Sequence, residues 1–360
     1  MTDRSSLAIP ARLGDVTPAW MTRVLAPHVP GALVERVTLA GVTDGTTARA
    51  IVRLEGRGAL PPSLFLKLAP RDRWTRVFVG ALGLGQTEVA FYRQARAGLA
   101  ARAPRVYHAA AARWGPGFAL LLEDLRVRGC RFGDVTTALS MPEAEAVMRA
   151  FASLHGGWWE HPSFEAGLVR LAADARALRF RVGRVLSRLA WRPALARHGD
   201  CVPTPLHGAA GEVSRRRLAL EAAWARPPRT LIHGDAHLGN LYFDGDEVGL
   251  LDWQVSQRGQ GMRDVAYFLA NSVPVEVRRA REAALLEVYL EALAASGGPR
   301  VPLAHAWEQY RLHVLYAWIA ALVTAAATSL QHEAVVRAAL ERTSAAVLDL
   351  DALGAMRALA

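Results

Sequence analysis

His233-Gly234-Asp235-Ala236-His237-Leu238-Gly239-Asn240, followed by Leu250-Leu251-Asp252-Trp253-Gln254, is the part of the chain whose reading decides the fold. It sets two carboxylates and an amide on short loops beside β-like runs. In phosphoryl transfer a positioned Asp orients an attacking hydroxyl and accepts its proton, while an Asn and a second Asp hold Mg²⁺ against nucleotide phosphates. Asp235, Asn240 and Asp252 fit those roles in chain order. Asp and Asn also cap turns through local backbone bonds, but turn capping does not account for a second Asp at the downstream spacing.

Composition points to a fourth residue. Lysine occurs once, at Lys67, and the other 42 of the 43 basic residues are arginine. An ammonium is a compact point charge on a thin stem and a guanidinium a broad planar fork, so the two do not exchange freely in a crowded phosphate site. Asparagine survives only as Asn240 and Asn271. Lys67 is expected near the end of a strand, gripping the α- and β-phosphates of ATP, with Glu88 on the following helix pairing with it and aiming it.

Working outward, periodicity gives strands first and helices later. A short capped helix is expected over residues 17–28, strands over 33–39, 48–54 and 63–68, a helix over 86–98 carrying Glu88, and a buried strand over 117–122. Glu123, Asp124 and Leu125 open a connection. Beyond it the pattern is helical, broken by β-like runs near 231–251. The expected fold class is α+β, a two-lobed protein-kinase-like fold: a strand-rich nucleotide-binding N-lobe (1–122), a hinge (123–126) and a large helical C-lobe (127–360). That C-lobe carries the catalytic loop 233–240, the metal loop 250–254 and a helical substrate insert at about 158–228.

These residues resemble the aminoglycoside phosphotransferase and choline-kinase-like superfamily, and its ecdysteroid-kinase-like branch in particular. The resemblance runs from Thr87-Glu88-Val89-Ala90-Phe91-Tyr92 through the hinge-like Leu120 to Leu125, and through Leu154-His155 to the catalytic and metal loops. It ends in Gly259-Gln260-Gly261-Met262-Arg263-Asp264-Val265-Ala266-Tyr267-Phe268-Leu269. It implies an ATP- and Mg²⁺-dependent kinase acting on a hydroxyl of a small molecule. His233 is then expected to orient the catalytic loop, Asp264 to hydrogen-bond it from the next helix, and His237 to be a structural, substrate or phosphate neighbour. Glu123 and Leu125 would meet the nucleotide at the hinge.

Departures from the protein-kinase pattern narrow the reading. No Gly-x-Gly-x-x-Gly loop is present; the phosphate-loop candidates are Gly41, Thr43, Gly45 and Thr46 between two strands. Gly234 stands where a protein kinase has an Arg, and Trp253-Gln254 where it has Phe-Gly, which implies a constitutively assembled site acting on a metabolite. Between residues 165 and 217 eleven arginines (170, 176, 179, 181, 184, 188, 192, 197, 215, 216 and 217) face four acids, a local balance of +7. A polycationic acceptor is disfavoured there. A neutral or anionic acceptor is expected: a sterol-like alcohol, sugar, hydroxy acid or hydroxyacyl-CoA. An aminoglycoside O-phosphotransferase and a nucleotide-binding pseudokinase are the alternatives.

The remaining features bound the class. A net charge of +10 raises nucleic acid as a partner, but the arginines recur at helical spacing without interleaved aromatics or zinc-finger cysteines, so none is expected. Cys130 and Cys201 make no disulfide framework, and no charged stretch followed by an apolar one opens the chain, so a cytoplasmic protein is expected. The apolar run 314–327 is too short for a membrane span and reads as a core helix. A monomer or homodimer is expected.

Overall fold

The computed structural model describes residues 8–168, 171, 178–327 and 331–359. Arg170, Asp174 and Arg176 of the basic insert lie outside them. Two compact units emerge, Met1–Ala97 with Ala103–Cys130, and Gly98–Arg102 with Arg131–Ala360. The expected connection at 123–126 therefore falls inside the first unit.

In the first unit, helix α1 (Pro18–Leu25) starts at Thr17, whose hydroxyl accepts from Trp20 N at 3.2 Å, with Pro18 in the first turn. Strands β1 (Leu33–Asp44), β2 (Ala48–Arg57) and β3 (Ser63–Leu68) follow. Then come helices α2 (Arg73–Leu82) and α3 (Leu84–Ala90) and strands β4 (Val106–Ala111) and β5 (Phe118–Glu123). The strands form one antiparallel sheet in the order β1-β2-β3-β5-β4. Side chains alternate between the faces of a strand. Leu64, Leu66 and Leu68 of β3 join Ala119 and Leu121 of β5 in a core shared with Trp20, Met21, Val24 and Leu25 of α1. Lys67, paired in register with Leu120, is turned to the opposite face by that alternation.

Three local differences from expectation have physical causes. Strand β1 runs on to Asp44 through a bulge between Ala40 and Thr43, so the phosphate-loop candidates divide between strand and turn. Helix α2, dense in β-branched and aromatic residues of low helix propensity, is fixed by its ends: Asp72 accepts from Thr75 N at 2.6 Å, and Gly83 closes it in the left-handed region. Strand β4, half alanine, carries little β-propensity and is recruited at the sheet edge by β5. The helix expected over 86–98 is α3 followed by a π-helical turn, Phe91–Ala95, and a 3₁₀ turn, Arg96–Gly98.

The second unit begins its regular structure with β6 (Arg131–Phe132), α4 (Met141–Gly157), α5 (Ser163–Ala166), α6 (Leu178–His198), α7 (Ala209–Arg215) and α8 (Arg217–Trp224). Strands β7 (Thr230–Ile232), β8 (Leu241–Asp244), β9 (Glu247–Leu250) and β10 (Gln257–Gly259) come next. Helices α9 (Met262–Ser272), α10 (Val275–Ala295), α11 (Leu303–Ala326), α12 (Glu333–Asp349) and α13 (Ala352–Arg357) complete it. Strands β7 and β10 pair, and β8 joins β6 and β9, so the loops after β7 and after β9 are both anchored by short ladders. Every residue of α9 is buried. The apolar run expected as a core helix is the second half of α11, and among the described residues no helix is long and apolar enough to cross a membrane. Cys130 and Cys201 are both buried.

Candidate active site

In the first unit Lys67 Nζ donates to Glu88 Oε1 at 2.8 Å, and the two side chains are 5% and 0% exposed. Glu88 reaches the lysine because α3 lies close against β5: a Cβ on Gly85 would stand 2.1 Å from the Phe118 ring. An ion pair this deeply buried costs desolvation that mutual attraction only partly offsets, which makes it poor evidence of stability alone and points to a task. The glycine-rich hairpin is open to solvent at Gly41, Thr43 and Gly45, with Thr46 half-buried, and its turn occupies residues 45–47. Glu123 is engaged inside its own unit, accepting from Arg105 N at 2.9 Å, and Leu125 is buried at the start of a 3₁₀ turn.

In the second unit the loop after β7 is held from below by one carboxylate. Asp264, fully buried on α9, accepts from His233 N at 2.6 Å and Gly234 N at 2.8 Å, and His155 Nε2 lies 3.2 Å away. Burial alone raises its pKa, but the His155 hydrogen bond, the nearby imidazoles and the Gly234 amide reverse this and hold it below the usual range. Gly234 has φ +86°, and a Cβ there would stand 2.7 Å from Val255 O, so no larger residue fits this turn. His233 ties the two loops together: its Nε2 lies 2.6 Å from Leu251 O, while its Nδ1 accepts from Asp235 N at 3.3 Å, which fixes the Nε2–H tautomer.

Asp235 is the half-exposed group at the top of this scaffold. Asn240 Nδ2 donates to its backbone oxygen at 2.8 Å and to its Oδ2 at 3.0 Å. Its carboxyl is worked on by burial, which raises the pKa; His237, His233 and the nearby Tyr267 outweigh that and hold it well below the usual carboxylate range. His237 Nε2 stands 3.6 Å from Asp235 Oδ2. Desolvation lowers the His237 pKa, but Asp235 and, more weakly, Asp252 raise it above its ordinary value. Gly239 N donates to His237 Nδ1 at 3.1 Å, a bond that a protonated ring gives up, so the backbone opposes that rise. Asp252 occupies φ +61°, a left-handed conformation that costs a non-glycine residue free energy and is characteristic of functional loops.

The donor set suits a hard cation. Asn240 spends its NH₂ on Asp235, which leaves its amide oxygen available to a cation, and the Leu251 amide donates to the Asn240 backbone oxygen at 2.8 Å, joining the two loops. Among the described residues no three His, Cys, Asp or Glu side chains gather as a complete metal cage.

The basic insert divides. Arg181, Arg188, Arg192, Arg197 and Arg215 are exposed, whereas Arg184 and Arg217 both reach Glu221 on α8, each at 2.8 Å. Sequence reasoning missed four residues that the fold brings to the loop. Tyr267 acts electrostatically on Asp235, Tyr316 donates to Gly234 O at 3.0 Å, Arg263 lies 4.6 Å from the Tyr316 ring centre, and His155 buttresses Asp264. Three of them sit in the quoted motifs; Tyr316 on α11 carried no local signal.

Comparison with known proteins places this arrangement. Residues 208–297 match the ecdysteroid kinase-like family. That quarter of the chain contains both loops and Asp264. No curated protein sequence matches the chain. Its fold is similar to that of three solved structures. The microcompartment-associated aminopropanol kinase has a TM-score of 0.52 and 14% identity, over 95% of this chain and 99% of its own. A Plasmodium vivax ethanolamine kinase gives 0.53 and 10%, over 91% and 87%. Choline kinase from Cryptosporidium parvum Iowa II gives 0.52 and 13%, over 94% and 98%. At these identities the likeness shows the fold, a kinase-like one. The resemblance to this superfamily read from the motifs stands, and family match and fold together support a phosphotransferase.

Proposed function

We propose that this protein transfers the γ-phosphoryl group of ATP to a hydroxyl of a small, neutral or anionic molecule. The observation that carries the reading is the state of Asp235, a half-exposed carboxylate kept ionised by its surroundings and oriented by the Asn240 amide 3.0 Å away. An acceptor hydroxyl bonded to that carboxylate is aimed for in-line attack and gives up its proton to it as the new O–P bond forms. Asp264 and His233 keep the loop rigid, so little reorganisation accompanies the reaction.

Asn240 and Asp252 would hold Mg²⁺, which when bound neutralises charge developing on the phosphate oxygens. In the first unit Lys67, aimed by Glu88, would take the α- and β-phosphates. The backbone around Gly41, Thr43, Gly45 and Thr46 would follow the phosphate chain, and the main chain at Glu123 and Leu125 would meet the base. The test is a library of hydroxyl compounds screened for acceptor-stimulated ADP release with and without chelator. Release that depends on both acceptor and Mg²⁺ supports the reading; turnover undiminished in chelator, or no acceptor and no nucleotide binding, refutes it.

A further inference from the structure

Beside the loop that carries Asp235 lies a cation that, among the described residues, has no counter-charge of its own. Arg263, on the first turn of α9, is 9% exposed. Its guanidinium stands 4.6 Å from the centre of the Tyr316 ring and 5.5 Å from that of Trp224, and its buried Nε has no hydrogen-bond partner. The carboxylates in electrostatic reach are committed elsewhere. Asp264 serves the two loop amides and His155, while Glu221 divides its oxygens between Arg184 and Arg217. Arg217 stacks on Trp224 at 5.3 Å, and its Nη1 is likewise buried and unpartnered. Among the described residues Arg217 thus shares its carboxylate with Arg184, and Arg263 is left without one of its own. Burial pushes the Arg263 pKa down, and neighbouring Arg217 adds to this, the response of a cation short of negative partners.

Buried donors without acceptors are uncommon and call for an explanation, of which an ion or ligand is one. The same aromatic wall leads to the reactive carboxylate. Tyr316 donates its hydroxyl to Gly234 O, and its ring lies 5.9 Å from that of Tyr267, which acts electrostatically on Asp235. Resting on the phosphotransferase reading above, we propose that the acceptor carries an oxyanion, a carboxylate or phosphate. Arg263 and Arg217 take it up against Trp224 and Tyr316, which leaves the acceptor's hydroxyl at Asp235. Arginine suits this task because its planar fork bonds an oxyanion through two nitrogens and stacks on aromatic faces at once. The selectivity in the basic insert thereby narrows to Arg217, with a second arginine from outside it.

Calorimetry with three matched probes tests this without nucleotide or turnover: 3-hydroxyoctanoate, its methyl ester, and the corresponding 1-amino-3-octanol. The acid should bind the wild-type protein on the order of 10–100-fold more tightly than the ester, the amine more weakly than either, and added salt should narrow the gap. Arg263→Met, which keeps apolar bulk against the two rings, should close the gap between acid and ester, and Arg263→Lys should restore part of it. If Arg263→Met does not fold, as judged by circular dichroism, Arg217→Met carries the same expectation. Equal or absent binding of acid and ester by the wild-type protein overturns the proposal. So does an equal loss for both in the variants, which marks the arginine as packing only, or a weakened nucleotide affinity with the gap intact. Because binding is read directly, failure to find phosphorylation with an intact gap would sink the phosphotransferase reading and leave the oxyanion site standing.

Discussion

The two units position their chemical groups by opposite means. In the first, Lys67 and Glu88 are buried as an ion pair between an apolar sheet face and a short helix, and their geometry follows from strand alternation and the Gly85–Phe118 approach. In the second, Asp235 stays half-exposed and is placed through the backbone: Asp264 grips the loop amides, His233 ties the loop to Leu251, and Asn240 braces the carboxylate. A buried charge pair resists substitution because either partner left alone is stranded in a low-dielectric setting. A backbone-held loop tolerates change at its reactive tip but not at its anchor. The difference predicts which substitutions separate chemistry from stability.

The largest effect is expected at the tip. Asp235→Asn should lower kcat by on the order of 10²–10⁴ while the melting temperature stays close to that of the wild type, because no core contact is lost. Steady-state kinetics beside a thermal melt decides it, and near-normal turnover would remove Asp235 from its role.

The anchors should behave in the reverse way. Glu88→Ala removes a buried carboxylate from Lys67 and Asp264→Ala takes the acceptor from two buried loop amides, and each should cost about 3–5 kcal/mol of stability. The two differ in pH response. Asp264 has a depressed folded pKa, so its contribution is present above the unfolded value of about 4 and is lost as pH falls through the folded one. The stability gap between wild type and Asp264→Asn should therefore shrink on acidification, as urea titrations at several pH values would reveal; a gap independent of pH contradicts the assignment of charge.

Lys67→Arg probes the pair without removing charge. The broader fork cannot occupy the ammonium's place against Glu88, so activity should fall by about tenfold or more, with nucleotide affinity weakened and the fold retained. Full activity would mean that arginine, used at the other 42 basic positions, serves equally well here.

How far the sequence carried differs between the two regions for the same physical reason. Lys67 was legible because composition isolated it and strand periodicity placed it, and Asp235, Asn240 and Asp252 because reactive groups recur in a short ordered motif. Helix α2 and strand β4 were not legible, since their own propensities argue against the structures that caps and sheet pairing impose. The supports of the catalytic loop were the hardest to read. His155, Arg263 and Tyr316 act across 80 or more intervening residues or through cation–π packing, and no local pattern announces such contacts. The basic insert misled in a related way: it spoke as a net charge, whereas the fold exposes most of its described arginines and brings Arg184 and Arg217 to one glutamate.

The smallest effect sharpens the electrostatics of the tip. His237 is one of the groups that hold the Asp235 carboxyl below its ordinary range, acting as a nearby charge 3.6 Å away. Replacing it with asparagine keeps a polar side chain and removes the imidazole, so the Asp235 pKa should rise toward the usual value near 4. The rise is bounded, because His233, Tyr267 and the Asn240 amide remain in place. A carboxyl-¹³C NMR titration of aspartate-labelled protein, with Asp235→Asn used to assign the resonance, measures the shift directly and does not depend on nucleotide protonation. An upward shift of about one unit, worth about 1.4 kcal/mol, would show the tip to be tuned by its neighbour as well as placed by its anchor. Superimposable titrations would assign the depression to the backbone-held bonds and leave His237 to the acceptor.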